Sequence, residues 1–303
     1  MDPEEKLINK LGFNRVRVNE PMSSHTYMKV GGPADVFLEV KTEEELIEAV
    51  GLAREFEVPY YILGQGANVL ISDKGIRGLV ILNRTSAIKF LPHGFVEVES
   101  GVNMVQLMLE ASKRGLSGLE RMMRVPSSVG GAIFMNAGDT GKGEFFGHLV
   151  AQIKVLTPEG KIEKVYPEKA GFDYRTSRFQ GSGEVILSAK IALKISNKKE
   201  IEERVKDILQ RKVNHPAGAT VGSTFRNPPG GHAGELIEKA GLKGKQIGGA
   251  KISEKHGNFI INTGSAKAAD VKALVDLMKK EVEEKFNIEL LEEVRYLGDW
   301  GNG

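Results

Sequence analysis

The heptapeptide GSTFRNP, Gly222–Pro228, sets a hydroxyl, a cation and an amide close together at Ser223, Arg226 and Asn227, inside a Gly/Pro frame. The frame alone reads as a tight turn in which Ser223 would cap backbone. Three polar groups so near one another also suit a site where a hydroxyl hands over a proton. Two glycine-rich stretches carry a second kind of chemistry: LGQGANVL, Leu63–Leu70, and VPSSVGGAIFMNAG, Val125–Gly138, which runs on into GDTGKGE, Gly138–Glu144. Successive glycines let backbone N–H groups converge on an anion without help from side chains. Two such loops, Gly64–Asn68 and Ser127–Gly138, point to a large ligand with more than one polar region, whereas plain tight turns would imply no ligand. Neither loop fits a nucleotide fingerprint. A dinucleotide turn needs a third glycine where Val69 stands. A phosphate loop needs a glycine where Asn136 stands, and Ser or Thr where Gly143 follows Lys142.

These groups need a scaffold, and the sequence predicts one of alternating strands and helices. DVFLEV (Asp35–Val40), YYILG (Tyr60–Gly64) and LVILN (Leu79–Asn83) read as strands. Between the first two, Thr42 and Glu45 form a capping-box pattern that opens a helix over 42–56, with Leu46, Ala49, Val50 and Ala53 on one face. A strand–helix–strand unit follows from this order. FVEVES (Phe95–Ser100) is a strand, and Asn103–Arg114 a helix that buries Met104, Leu107, Met108 and Ala111 and stops at Gly115. Ile153–Tyr166 reads as a hairpin around Thr157–Gly160, and Glu184–Ile195 as one long alternating strand. A polar stretch from Ser196 leads into a charged helix ending near Val213 and marks a domain boundary. Beyond it come a helix near Glu235–Ala240 and an amphipathic helix, Ala268–Phe286, whose stripe is Val271, Leu274, Met278, Val282 and Phe286.

Bulk properties narrow the class. The 303 residues suffice for two or three domains of ~100–150 residues each. A net charge of +2 gives no electrostatic case for nucleic acid or an anionic membrane, and no apolar run reaches the ~20 residues of a membrane helix. The absence of cysteine excludes disulfides, thiolate zinc sites, Fe–S clusters and cysteine nucleophiles, and fits a reducing cytoplasm. The N-terminal MDPEEKLINKL lacks the basic and apolar regions of a signal peptide. No metal cofactor is expected, and the sequence does not set the oligomeric state.

With these motifs in view, the chain resembles the UDP-N-acetylenolpyruvoylglucosamine reductase family, the MurB flavoenzymes of peptidoglycan synthesis. Six stretches are similar to the family's, in the family's order: LGQGANVL, Pro126–Gly138, YRTSRF (Tyr174–Phe179), GSTFRNP, AGLKG through GNFIIN (Ala240–Asn262), and the terminal EVR (Glu293–Arg295). They span roughly His25 to Leu297. The compact stretch between Arg175 and Ser223 resembles the shorter of the family's two forms. The resemblance implies an α+β fold: a two-part FAD-binding domain of the vanillyl-alcohol oxidase type, residues 1–84 and 85–197, and a C-terminal α/β substrate-binding domain, residues 198–303. It implies FAD as cofactor, NADPH as hydride donor, a UDP-sugar substrate and a cytoplasmic place in cell-wall precursor synthesis. The rivals are another flavin oxidase on the same scaffold, which would need neither GSTFRNP nor EVR, and a non-catalytic nucleotide-binding module, which would leave the ordered Arg, Ser and Glu unexplained.

The site residues follow from the same resemblance. Arg175 would hold the substrate carboxylate and the developing enolate. Ser223 would give the proton, and Glu293 would donate a hydrogen bond to the enol system, with its acidic neighbour Glu292 the wrong choice. Thr224 is the wrong choice beside Ser223. Cofactor contacts would come from Thr26, from Gly64, Gln65, Gly66, Ala67, Asn68 and Val69, and from Pro126, Ser127, Ser128, Gly130, Gly131, Asn136, Ala137 and Gly138. Tyr174, Arg226, Asn227 and His256 would meet substrate, although a lone histidine near a strand is more often structural. The chain departs from the family at Ala67, where serine is usual, at Ser127, where glycine is usual, in DTGKG after Gly138, and at Leu291 in place of a glutamate. These departures bear on the FAD contacts more than on Arg175, Ser223 and Glu293.

Overall fold

A computed structural model describes residues 2–301 apart from Lys212 and Asn214, with Thr140 described by its backbone alone. The chain forms two compact units. The first comprises residues 1–15, 38–65 and 81–213; the second comprises 16–37, 66–80 and 214–303. The division falls inside two strands, Pro33–Val40 and Ile76–Asn83, after Phe37 and after Val80.

In the first unit, helix α1 (Pro3–Leu11) is followed by Arg15, which is ion-paired to Glu48 on α2 (Glu43–Glu55) at 3.0 Å. The Thr42 hydroxyl caps α2 by accepting from the Glu45 N–H, and Leu46, Ala49, Val50 and Ala53 are all buried, as the periodicity predicts. Five antiparallel strands make the main sheet, in the order 162–165, 150–156, 185–192, 95–99 and 88–90. The predicted hairpin is present: the Thr157 N–H donates to the Lys161 carbonyl across the turn. Helix α3 (Met104–Lys113), capped by Asn103, and α4 (Val129–Phe134) supply Leu107, Met108, Ala132 and Ile133 to the core. The expected single strand 184–195 is broken at Leu193. Its N–H donates to the Gly94 carbonyl, and Lys194–Ile195 pairs with Leu116–Ser117 in a separate two-stranded sheet. Helix α5 (Lys198–Arg211) attaches through Arg204, which donates to the Ser117 hydroxyl at 2.5 Å.

In the second unit a four-stranded antiparallel sheet runs in the order 220–223, 259–262, 250–252 and 246–247. Helices α6 (Ala233–Lys239) and α7 (Ala268–Phe286) supply Ile237, Val271, Leu274, Met278 and Val282 to its core, joined by Met28, Val30 and Leu70 from earlier in the chain. The N-terminus of α7 is fixed from a distance. The Asp73 carboxylate accepts from the Ala268 and Ala269 N–H groups at 2.8 and 2.9 Å, satisfying helix donors with a favourable charge. The strand Val69–Ile71 pairs in parallel with Arg295–Leu297. Among the described residues no helix is long and apolar enough to cross a membrane.

Candidate active site

The first unit brings the Pro126–Gly138 block onto YRTSRF. Asn136 is buried at φ +43, a left-handed conformation that asparagine tolerates better than most residues. Its amide donates to the Asp173 carbonyl at 2.9 Å, and its side-chain oxygen accepts from the Gly147 N–H at 2.9 Å. The Ser177 hydroxyl and the Gln180 amide both donate to the Phe134 carbonyl, at 2.7 and 2.9 Å. Between those anchors Arg175 sits at φ +56, and its Nη1 donates to the Gly138 carbonyl at 3.2 Å. A left-handed arginine is costly, and such strain persists only where the surroundings enforce it. The Tyr174 ring lies 5.6 Å from the Arg175 guanidinium carbon.

The backbone of that block is largely committed to the fold. The Val129 and Gly130 N–H groups donate to the carbonyls of Val102 and Ser100, and Gly131 donates to the Ser128 hydroxyl, which caps α4. Ser127 donates its own hydroxyl to the Ser128 carbonyl, while Ala137 donates backbone to Ala132 and accepts from Phe146. Pro126 is half-buried and has no N–H to give. The anion nest expected at Ser127–Gly138 is therefore not formed at Val129–Gly131. Two glycines flanking this stretch serve close packing. A Cβ on Gly64 would lie 2.3 Å from the Ser128 hydroxyl, and one on Gly138 would lie 2.3 Å from the Glu144 carbonyl oxygen. Gln65 ends this segment, half-buried.

The second unit joins GSTFRNP to the chain's terminal acidic run. Ser223 pairs with Phe259 after a register shift at Gly222, whose φ of +78 needs glycine. The Glu293 N–H donates to the Thr224 carbonyl at 2.8 Å, the Arg226 N–H to the Leu291 carbonyl at 2.8 Å, and Phe225 bridges Glu292. Ser223 and Glu293 thus lie on directly hydrogen-bonded segments. Their two neighbours differ: the Thr224 hydroxyl is fully buried and meets no hydrogen-bond partner among the described residues, and the Glu292 carboxylate is ion-paired to Lys279 at 3.2 Å. The Arg226 Nε is buried with no hydrogen-bond partner among the described residues, as befits a donor awaiting a ligand. Asn227 accepts the Ala233 N–H at 3.1 Å, at the start of α6. His256 is packed against Phe259, and its Nδ1 accepts from the Asn258 N–H at 3.2 Å. Burial, and then the charge of Lys243, push its pKa down, so the ring is neutral at neutral pH.

The sequence reading missed Asn258. Its side chain accepts the Phe225 N–H at 2.9 Å and donates to the Phe225 carbonyl at 2.8 Å, and its own carbonyl takes the Thr224 N–H. It clamps the turn that presents Ser223. An asparagine inside the strand-forming run GNFIIN was the available signal, because a polar residue buried there needs local partners.

The loop Gly66–Val69 also lies in this unit. Gly66, at φ +62, sits so close to His25 that a Cβ would meet its carbonyl oxygen at 2.2 Å, and its own carbonyl accepts from the Tyr27 N–H. Thr26 is buried, with its hydroxyl donated to the Val30 carbonyl at 2.7 Å. Among the described residues the N–H groups of Gly66, Ala67 and Asn68 meet no acceptor in the chain. Three consecutive free donors at a glycine turn fit an anion such as the pyrophosphate of FAD, and they do so without the serine that Ala67 replaces.

Comparison with known proteins decides the family. Residues 34–166 match the FAD binding domain model, and residues 212–297 match the model described as UDP-N-acetylenolpyruvoylglucosamine reductase, C-terminal domain. The UDP-N-acetylenolpyruvoylglucosamine reductase of Bacillus subtilis is 40% identical over 301 residues, covering 97% of this chain and 99% of that protein. The chain belongs to the UDP-N-acetylenolpyruvoylglucosamine reductase family. A second member, reductase 2 of Symbiobacterium thermophilum, is 39% identical across 94% of this chain and 92% of that one. The crystal structure of the reductase (MurB) from Thermus caldophilus superposes with a TM-score of 0.81 at 35% identity, over 93% of this chain and 99% of that chain. The α+β fold with an FAD-binding domain is that of the reductase family, and the protein is an FAD-containing oxidoreductase.

Proposed function

We propose that the protein reduces the enolpyruvyl ether of UDP-N-acetylglucosamine to UDP-N-acetylmuramate, with NADPH as reductant, in the synthesis of the peptidoglycan precursor. The observation that carries this reading is the hydrogen-bonded pairing of Gly222–Pro228 with Leu291–Val294, which sets Ser223 beside the segment of Glu293. Bound FAD supplies the hydride relay from NADPH to the vinyl methylene carbon. The Gly66, Ala67 and Asn68 N–H groups would hold its pyrophosphate. Hydride arriving at the methylene carbon leaves an electron pair on the carbon that bears the carboxylate. In this reading Arg175 would bind that carboxylate and stabilise the enolate, and Glu293 would act on the enol system. The Ser223 Oγ then delivers the proton to the same carbon, completing the addition of H⁻ and H⁺ across the double bond. Arg226, three residues after Ser223 and with a buried Nε that meets no partner among the described residues, would steady the alkoxide or a substrate oxygen.

The division into residues 1–84 and 85–197 for flavin and 198–303 for substrate belongs to the same reading, and the matched ranges 34–166 and 212–297 support it. A cytoplasmic location also belongs to it, supported by a chain without cysteine. The test is a two-step flavin spectrum. NADPH should bleach the flavin band, and the enolpyruvyl substrate should restore it. Reduced flavin that the substrate leaves bleached would refute the proposed reaction.

A further inference from the structure

The Asn68 amide is not spent on the glycine loop that bears it. Its Nδ2 donates to the main-chain carbonyl of Glu293 at 3.0 Å, and its own carbonyl accepts the Arg295 N–H at 3.0 Å. The strands leaving these two points run in parallel, Val69 with Arg295, Tyr296 with Leu70, and Leu297 with Ile71. From the other side the Glu293 N–H is held by the Thr224 carbonyl at 2.8 Å. Both main-chain polar groups of Glu293 are thus fixed, one by the residue after Ser223 and the other by the side chain of Asn68. Meanwhile the Gly66, Ala67 and Asn68 N–H groups stay unpaired. The loop divides its labour between backbone donors for an anion and a side chain for the strand that carries Glu293.

We infer that Asn68 is a positioning residue for Glu293 rather than a side-chain ligand of the cofactor. This rests on the proposed reaction, in which Glu293 acts on the substrate-derived enolate. Removing the amide leaves the loop's backbone donors in place and frees one side of Glu293. Flavin affinity should then be kept, while the step after flavin reduction suffers.

The experiment uses full-length Asn68→Ala and Asn68→Asp, both of which lose the donor. Titration of apoprotein with FAD, followed by flavin fluorescence, should give a dissociation constant within about threefold of wild type, and flavin reduction by NADPH should be similarly unaffected. Reoxidation of the reduced flavin by the enolpyruvyl substrate should slow by about tenfold or more in its limiting rate, with little change in the half-saturating concentration. Amide hydrogen exchange at Glu293 and Arg295, read without substrate, should speed up by about tenfold. An FAD affinity weakened more than about tenfold, with normal reoxidation once the protein is saturated, would make Asn68 a cofactor ligand and overturn the inference. Unchanged exchange at Glu293 would overturn it as well, whatever the activity. If wild-type reduced flavin ignores the enolpyruvyl substrate, the reaction itself falls and the inference with it. Wild-type turnover with unimpaired variants removes the inference alone.

Discussion

Asn258→Ala tests whether the turn presenting Ser223 is held by one side chain. The amide makes two hydrogen bonds to the main chain of Phe225, at 2.9 and 2.8 Å, and Asn258 and Phe225 are 3% and 1% exposed. Truncation leaves a buried N–H and a buried C=O without partners, each costing about 1–3 kcal/mol, so the expected loss is about 2–6 kcal/mol. That is a large share of the ~5–15 kcal/mol that stabilises a typical domain. Asn258→Asp keeps the acceptor and loses the donor, so it should lose about half as much, about 1–3 kcal/mol before any charge effect. It should recover part of this in acid, where a neutral carboxyl can again donate to the Phe225 carbonyl. Because the chain has two compact units, a global signal could mix two transitions. Trp300 is the single tryptophan; it lies in the second unit with its ring 5.2 Å from that of Tyr296, so its fluorescence in a urea titration reports that unit. A Trp300 transition for Asn258→Ala within about 0.5 kcal/mol of wild type would refute the clamp, since two lost buried bonds cannot be that cheap.

Three further outcomes are expected. Ser223→Ala should leave flavin reduction by NADPH near normal and slow reoxidation by substrate by about two orders of magnitude or more, measured by stopped-flow absorbance; equal slowing of both steps would make the serine structural. Asp73→Ala should cost about 1–2 kcal/mol in the Trp300 urea transition, because two donors at the start of α7 lose a charged acceptor. His256 has a folded pKa below its unfolded value of about 6.5, so its contribution is present above that pH and is lost as pH falls through it toward the folded value. The thermal midpoint of wild type should therefore drop more between about pH 7.5 and about pH 5.5 than that of His256→Gln, by calorimetry at both pH values.

Local periodicity made the helices legible. The capping of α2 by Thr42 and the buried faces of α3 and α7 follow from spacing within one helix. The strand over 184–195 was misread because its break depends on Gly94, about a hundred residues earlier, taking the Leu193 N–H. The same limit applies at the site. Ser223 and Arg226 stand out as residue types in a pattern and Glu293 only through the resemblance of EVR, but nothing near Asn68 in sequence says that its amide goes to Glu293, and nothing near Asn258 says that it grips Phe225. The glycines were visible and their reasons were not: Gly64, Gly66 and Gly138 are each required by a close approach of the chain to itself.

Asn68 and Glu293 are 225 positions apart, and the strands that follow them complete each other. On a ribosome adding ~5–20 residues per second, the early strand waits on the order of tens of seconds for its mate. Throughout that interval Leu70 and Ile71, both fully buried in the finished protein, lack the Tyr296 and Leu297 they will pair beside. An unpaired apolar strand is what holdase chaperones recognise and what nascent chains aggregate through. A nascent chain stalled before Arg295 should therefore hold its first unit's sheet complete and its second unit open, and release of the last few residues should close it.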